Sequence, residues 1–502
     1  MKTTIALTYD DVAIQPGYYK EGSEFDISIL LCKDRDGHDL ILKKPFLSAA
    51  MDTVTEVEMA IHMAREGCLG AIHANLTAEV QAKQVTQVKR AENLMITTPI
   101  HVNDTTTIRE TAEIIQKVGF SSIPVLDKDG KILGLAVNPS VRFQDENYDK
   151  SIITTMVQNP IIVKLSDVQD EKFGFVDLEK AKRIFAKNTQ NNTKALLVAD
   201  ENNVLIGLIT SKDVDNLKTF PHASKDCMGR LRVAAAISTD AKAMERVRLL
   251  ANAGVDMLVI DSSQGYSDYM ANTIKAIKKE FPTMPVVAGN VVTAEGALFL
   301  AEAGADIIKV GVGPGAICST RKISGVGLPQ FSAVLEVCEA LQNDYPHIAV
   351  IADGGIKHTG DVGKAIVAGA KAIMMGNVFS GTDETPGEIT IHKGRKVKIY
   401  RGMGSSDAME SAKKVGAGNR YEQNGKVPIS HGVTTYVPYK GAVADIIFQY
   451  AGGLGETLKL TGATNLAELK NAQWRQITRA GEIESHPHDV ELVHGEPNYH
   501  NE

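Results

Sequence analysis

MLVIDSSQGYSDYMANTIKAIKKEFPTMPVVAGNVVTAEGALFLAEAGADIIKVGVGPGAICST spans residues 257–320 and carries the pattern that decides the fold. Three short runs in it, Met257–Ser262, Val286–Asn290 and Ile307–Gly311, read as apolar stretches rather than alternating ones. Strands buried on both faces have that signature. Helical patterns at Asp268–Glu280 and Ala294–Ala303 separate them, so the segment is a series of βα units and predicts a parallel sheet. Working outward, similar runs stand at Pro45–Ala50, Leu69–His73 and Val233–Ile237 before it, and at Ala349–Asp353 and Ala372–Gly376 after it. About eight units point to an α/β protein built as a closed (β/α)8 TIM barrel. An open doubly wound sheet is the alternative, which the count of eight disfavours.

The spacing breaks once. Well over a hundred residues separate the helix ending near Asn93 from the strand at Val233, too many for a loop. They contain two similar half-units. The first is a helix at Ile108–Val118 followed by a strand–turn–strand pattern at Ser121–Val137; the second is a helix near Leu178–Asn188 followed by Lys194–Val214. The expected organisation is a barrel in two parts, 1–94 and 221–502, interrupted by a tandem domain at about 95–220.

Composition is that of an ordinary globular chain, with 43% hydrophobic and 23% charged residues among 502. The formal net charge of −7 argues against a surface that coats nucleic acid. Neither a transmembrane run nor a signal peptide is recognisable, so no membrane partner is expected. Five scattered cysteines without a CxxC pair fit a reducing cytoplasm and leave a thiol free to react.

Barrel chemistry gathers at the carboxyl ends of the strands. The loops there are SAAMD (48–52), IHAN (72–75), DSSQG (261–265), GNVVT (289–293), GVGPGAICST (311–320), DGG (353–355) and GN (376–377). The last two occupy the positions where barrels commonly hold phosphate on backbone N–H groups and a helix N-terminus. Cys318 follows Gly311, Gly313 and Gly315 on such a loop. That placement marks it as a nucleophile, whereas Cys32, Cys68, Cys227 and Cys338 lie on none. A long polar segment between Gly402 and Gly441, carrying Arg420 and Tyr421, reads as a lid over about 403–440.

These motifs together resemble the inosine-5′-monophosphate (IMP) dehydrogenase/GMP reductase family. SAAMDTVTEVEMA (48–60), DSSQG, AGNVVT, GVGPGAICSTR, DGGI, SGTDETPGE (380–388), YRGMGS (400–405), RYEQ (420–423), VPYKG (437–441) and ESHPHDV (484–490) stand in family order. The inserted repeat resembles the family's tandem CBS pair.

The resemblance implies oxidation of IMP to XMP with NAD, through attack of Cys318 on the purine. It implies a flap whose Arg420 activates the hydrolytic water with Thr320, beside Tyr421. Asp261, Ser262, Ser263, Asn290, Gly311 and Gly313 would face NAD. Met51, Ala316, Asp353, Gly354, Gly355, Gly376, Asn377, Tyr400, Arg401, Gly402, Met403, Gly404 and His431 would face the nucleotide. Potassium would sit on Gly313, Gly315 and Cys318, with Glu484, Ser485 and His486 of a neighbouring subunit in a homotetramer. An adenine or guanine nucleotide would be the effector at the CBS pair. Three positions depart from the family: Ala316 and Asn377 replace serines, and His431 replaces glutamate or glutamine. A lost hydrogen bond to a charged group costs about 1.5–3 kcal/mol, so Ala316 should weaken nucleotide binding. GMP reductase is the nearest rival activity, and the Arg420–Tyr421 flap favours the dehydrogenase. A third reading is a catalytically weakened nucleotide sensor.

Overall fold

The structure is a computed structural model that describes all residues except 1–4, 92–94, 97–98, 119–121, 143, 145–146, 169–175, 177, 189–193, 213, 215–219, 416–428, 489 and 491–502. The chain divides into two compact units. One comprises Met1–Lys89, His222–Ser224 and Leu231–Glu502; the other comprises Arg90–Pro221 and Lys225–Arg230.

The first unit is built on a closed parallel barrel of eight strands. In chain order they are β1 (Phe46–Ser48), β2 (Leu69–Ile72), β3 (Val233–Ile237), β4 (Met257–Asp261), β5 (Val286–Val291), β6 (Ile307–Val310), β7 (Ala349–Asp353) and β8 (Ala372–Met375). The ring closes where β8 pairs with β1. The open-sheet alternative is thereby excluded, and every strand falls within a residue or two of its apolar run. The helices between strands have local reasons to start and stop. Ser267 accepts from Met270 N ahead of the helix Asp268–Glu280, and Thr293 accepts from Gly296 N ahead of Ala294–Glu302. The helix Ala243–Ala253 ends on Gly254 in the left-handed region at φ 89°.

Alternate residues of the strands fill the barrel interior. Ala71, Ala234, Ala236, Met257, Val259, Val287, Ile307, Ala349, Ile351 and Met374 belong to one buried cluster. Small side chains on one side of the ring accommodate large ones on the other. Because the side-chain period is two, Asp261 lies on the inward face with Met257 and Val259. By the same count Lys309 lies inward with Ile307, and Asp353 with Ala349 and Ile351. Three charges therefore cap an apolar barrel at its carboxyl end.

After β8 come β9 (Thr390–His392), β10 (Arg395–Arg401) and β11 (Thr434–Pro438), an antiparallel sheet in the order β9-β10-β11. It carries the two ends of the lid segment. The second unit holds two three-stranded sheets. Val102–Asn103, Ser122–Leu126 and Ile132–Val137 form one; Ile161–Lys164, Ala195–Ala199 and Leu205–Thr210 form the other. The helices Ile108–Val118 and Leu178–Lys187 occupy corresponding places. Leu126, Ile132 and Leu135 of one half pack with Ala195, Leu197, Ala199 and Leu208 of the other.

Candidate active site

Cys318 is the exposed cysteine of the barrel. Its Sγ lies 3.2 Å from Thr320 Oγ1, so thiol and hydroxyl already share a hydrogen bond. Burial pushes the thiols of Cys32 and Cys338 up to about 12, and that of Cys68 higher still. Thiolate is the nucleophilic form, so these three are inert by comparison.

The loop bearing Cys318 is fixed from two sides. Cys318 N donates to Gly315 O (3.0 Å), closing a turn. On its outer side, Ser319 N donates to His431 O (3.0 Å) and Val433 N to Ile317 O (3.1 Å). Cys318 and Gly432 are thus antiparallel bridge partners. His431 N in turn donates to Gly404 O (2.9 Å), and Gly402 N to Val433 O (3.1 Å). A Cβ on Gly402 would stand 3.3 Å from Gly432 Cα, a close backbone approach that only small residues permit.

The interior side of the site is ionic. Lys309, 2% exposed, places Nζ 2.5 Å from Asp353 Oδ2 and 3.2 Å from Asp261 Oδ1. Burial alone would depress this ammonium, but Asp261 and Asp353 outweigh it and hold it above the ordinary lysine value. Asn290 Nδ2 donates to the same Asp353 Oδ2 (2.9 Å) and to Gly311 O (2.7 Å). Gln330, also buried, donates to Val310 O (2.8 Å) and Asp353 O (3.2 Å). Gly311 sits at φ 151°, and a Cβ there would meet Asp353 O at an impossible 2.4 Å. Gly354, at φ 84°, lies over Pro314 and Gly315.

Tyr400 is buried with its hydroxyl 3.9 Å from Met51 Sδ. Burial, with Asp353 and Cys318 nearby, drives its phenol above the ordinary tyrosine value. It therefore stays a neutral donor. A Cβ on Gly376 would come within 2.7 Å of that hydroxyl, so Met51, Gly376 and Tyr400 form one wall. Arg401 turns away from this wall: its guanidinium is engaged by Asp52, and Met403 Sδ accepts from Asp52 N (3.5 Å). Ala316, Ser263 and the side chain of Asn377 are exposed, while Ser262 is held in its turn by Ser262 N to Gly289 O (3.0 Å).

Ahead of the helix Thr359–Val367, Lys357 N and His358 N donate to Asp361 Oδ2 at 3.0 and 2.9 Å. Gly354 N is taken by Met374 O (3.1 Å). The Asp361 carboxylate closes the turn leading into the helix from within its own first turn.

Arg420 and Tyr421 lie outside the described residues. Glu484, Ser485 and His486 end the helix Arg479–Glu484 and its cap; Ser485 and His486 line a groove with Asp10 and His358, and none of Gly313, Gly315 and Cys318 lines it. The apolar reading of Ile307–Gly311 passed over Lys309, although a lysine inside a buried run was the available signal. Gln330 gave no local signal, and Asp52 stood in the strand-end loop 48–52 without a sign of its pairing with Arg401.

A family model described as IMP dehydrogenase / GMP reductase domain matches residues 6–488. Inosine-5′-monophosphate dehydrogenase of Aquifex aeolicus is 42% identical over 497 residues, covering 98% of this chain and 97% of that one. The enzyme of that name from Escherichia coli K12 is 41% identical over 500 residues, covering 98% of each. Among solved structures, a variant of GMP reductase from Trypanosoma brucei, in complex with guanosine 5′-monophosphate, aligns with a TM-score of 0.84 at 33% identity. It covers 97% of this chain and 99% of that one. The barrel, its glycine loop with Cys318 and these full-length similarities place the chain in the IMP dehydrogenase/GMP reductase family.

Proposed function

We propose that this protein oxidises IMP to XMP with NAD as hydride acceptor, through a covalent adduct on Cys318. The observation that carries the proposal is the exposed Cys318 thiol beside Thr320, in a chain 42% identical over almost its whole length to an IMP dehydrogenase. Cys318 gives up its thiol proton as Sγ bonds to purine C2, and the C2–H bond breaks with both its electrons. NAD, when bound, would supply the acceptor for that hydride. Water then adds to C2 and the S–C bond breaks, one water hydrogen returning to the thiol and XMP leaving. Thr320 and Arg420 activate that water, and Tyr421 closes the site with them.

On the nucleotide side, Asp353 accepts from the ribose hydroxyls. Gly355, Gly376 and Asn377 receive the phosphate with Tyr400, while Met51, Gly402, Met403, Gly404 and His431 line the base. On the dinucleotide side stand Asp261, Ser262, Ser263, Asn290, Gly311 and Gly313. The partly exposed carboxylate of Asp261 suits a sugar diol, so these residues fit NAD. For potassium, the carbonyls of Gly313, Gly315 and Cys318 offer neutral oxygens, and Glu484, Ser485 and His486 of a second copy would complete the set. That sharing needs at least two copies, and we infer a homotetramer working in the cytoplasm. The unit at 95–220 would take an adenine or guanine nucleotide as effector.

The test is direct. Purified protein with IMP and NAD should generate NADH, faster in potassium than in lithium. A second reading, reductive deamination of GMP with NADPH, is favoured by the likeness to a solved GMP reductase. NADPH loss with GMP and silence with IMP would select it, and silence in both would leave a nucleotide sensor.

A further inference from the structure

Lys309 is the only buried cation described here that touches two carboxylates belonging to different sides of the site. Its route is set by strand register. Asp261 of β4 pairs with Gly289 of β5, and Gly289 pairs with Lys309 of β6. All three positions face the barrel interior. Gly289 has no side chain, so the lysine stem passes over β5 and reaches Asp261 as well as Asp353. A Cβ on Gly289 would stand 2.8 Å from Lys309 Cβ, inside van der Waals contact.

The charges do not balance. One ammonium serves two carboxylates, and the nearer one, Asp353 at 2.5 Å, takes the larger share. Asn290 adds a second donor to the same Asp353 oxygen. Anything that changes how tightly Asp353 holds the ammonium changes what remains for Asp261, because the lysine side chain is only 3% exposed and its charge is shared between these two carboxylates.

We infer that Lys309 is a positioning residue that couples the nucleotide and dinucleotide subsites through a shared ammonium between Asp353 and Asp261. A ligand whose hydroxyls bind Asp353 satisfies part of its charge and lets Nζ shift toward Asp261. The altered Asp261 then meets the second ligand with a different hydrogen-bonding strength. The link is reciprocal, as any binding coupling must be. This inference rests on the assignment of Asp353 to the nucleotide side and Asp261 to the dinucleotide side.

The test uses the full chain carrying Cys318→Ala, so that no turnover occurs, and measures the Kd of IMP with and without saturating NAD. The ratio of the two is the coupling factor. Lys309→Met should weaken each ligand alone by about ten- to a hundredfold, the scale of a lost charged hydrogen bond. It should also change the coupling factor by threefold or more, and Lys309→Arg should restore that factor. A purely structural lysine would lower both affinities and leave the factor within twofold of the parent; that result overturns the inference. Should Lys309→Met fail to fold, Asp261→Asn decides. It should change the Kd of IMP by threefold or more with no NAD present, and an unchanged Kd overturns the inference. If the unmodified protein makes no NADH from IMP, the reaction assignment fails on its own. The same coupling measurement then runs with GMP and NADPH.

Discussion

Arg401 grips Asp52 with two parallel hydrogen bonds, Nε to Oδ1 at 3.1 Å and a terminal nitrogen to Oδ2 at 2.8 Å. The pair joins the loop after β1 to the end of β10, and Asn75 Nδ2 adds a third donor to Asp52 (3.0 Å). Its guanidinium thereby braces the loop after β1 against the end of β10. Arg401→Lys keeps the charge but loses the fork. We expect a loss of about 1–3 kcal/mol, seen as a raised KM for the nucleotide and a lowered Tm. Unchanged values for both would refute the bracing role.

Cys318→Ala should lower kcat by about a thousandfold or more, since nothing else here can form the adduct. Nucleotide binding should survive, because the loop is held by backbone bonds that alanine keeps. Calorimetry on the variant checks the second half of the statement.

Thr320→Val removes the hydroxyl 3.2 Å from the nucleophile at little cost in volume. Hydrolysis should slow by roughly ten- to a hundredfold while the first hydride transfer is spared, within the range of general acid–base effects. Rapid mixing would then show a burst of NADH equal to the sites. Absence of a burst with equally slowed first turnover would place Thr320 elsewhere in the reaction.

Gly376→Ala should act locally. Its Cβ would fall 2.7 Å from Tyr400 Oη and 3.1 Å from Met51 Sδ, both of which are side-chain atoms that can move. The wall shifts rather than unfolds. Expected is about a tenfold rise in nucleotide KM with a Tm lowered by only a few degrees, the scale of a 1–2 kcal/mol perturbation.

Lys440 supplies a pH signature. Burial pushes its ammonium down to about 8 from 10.5, although Asn377 O (2.7 Å) and Val378 O (3.0 Å) accept from it. Between those values the unfolded chain binds more protons than the folded one, so stability from this group rises with pH. The cost is present in full below about 8 and gone above 10.5. The two carbonyl bonds favour the charged form, so the effect is at most about 3 kcal/mol. Denaturant unfolding should show the protein gaining up to about that much stability relative to Lys440→Met as pH rises from below about 8 to 10.5. A constant difference across the window would exclude the shift.

Much of the fold was legible because a strand covered on both faces has no place for alternation. Val233–Ile237 and Ala349–Asp353 coincide with their runs for that reason. Cys318 stood out by position, since strand ends collect chemistry whatever the residue. What stayed hidden depends on partners far along the chain. Asp52 acquires its meaning from Arg401, 349 residues away, and Lys309 from Asp353, 44 residues away. The capped start of the helix Thr359–Val367 was hidden differently. The sequence shows Asp361, but only geometry shows that it takes the N–H groups of Lys357 and His358.

The meeting of Gly402 with Gly432 beside Cys318 has a consequence for how this enzyme could vary. Gly402 N to Val433 O and Ser319 N to His431 O bring the chain before and after the lid segment together at one point beside the thiol. Closure of that excursion is settled by the scaffold, and its length enters only logarithmically. The part of that connection between the helix Ser406–Lys414 and His431 can therefore be lengthened, shortened or exchanged while the bonds that hold the thiol's loop stay in place. Descendants of one barrel could thus acquire different second half-reactions by rewriting a single insert, with the first half-reaction inherited unchanged.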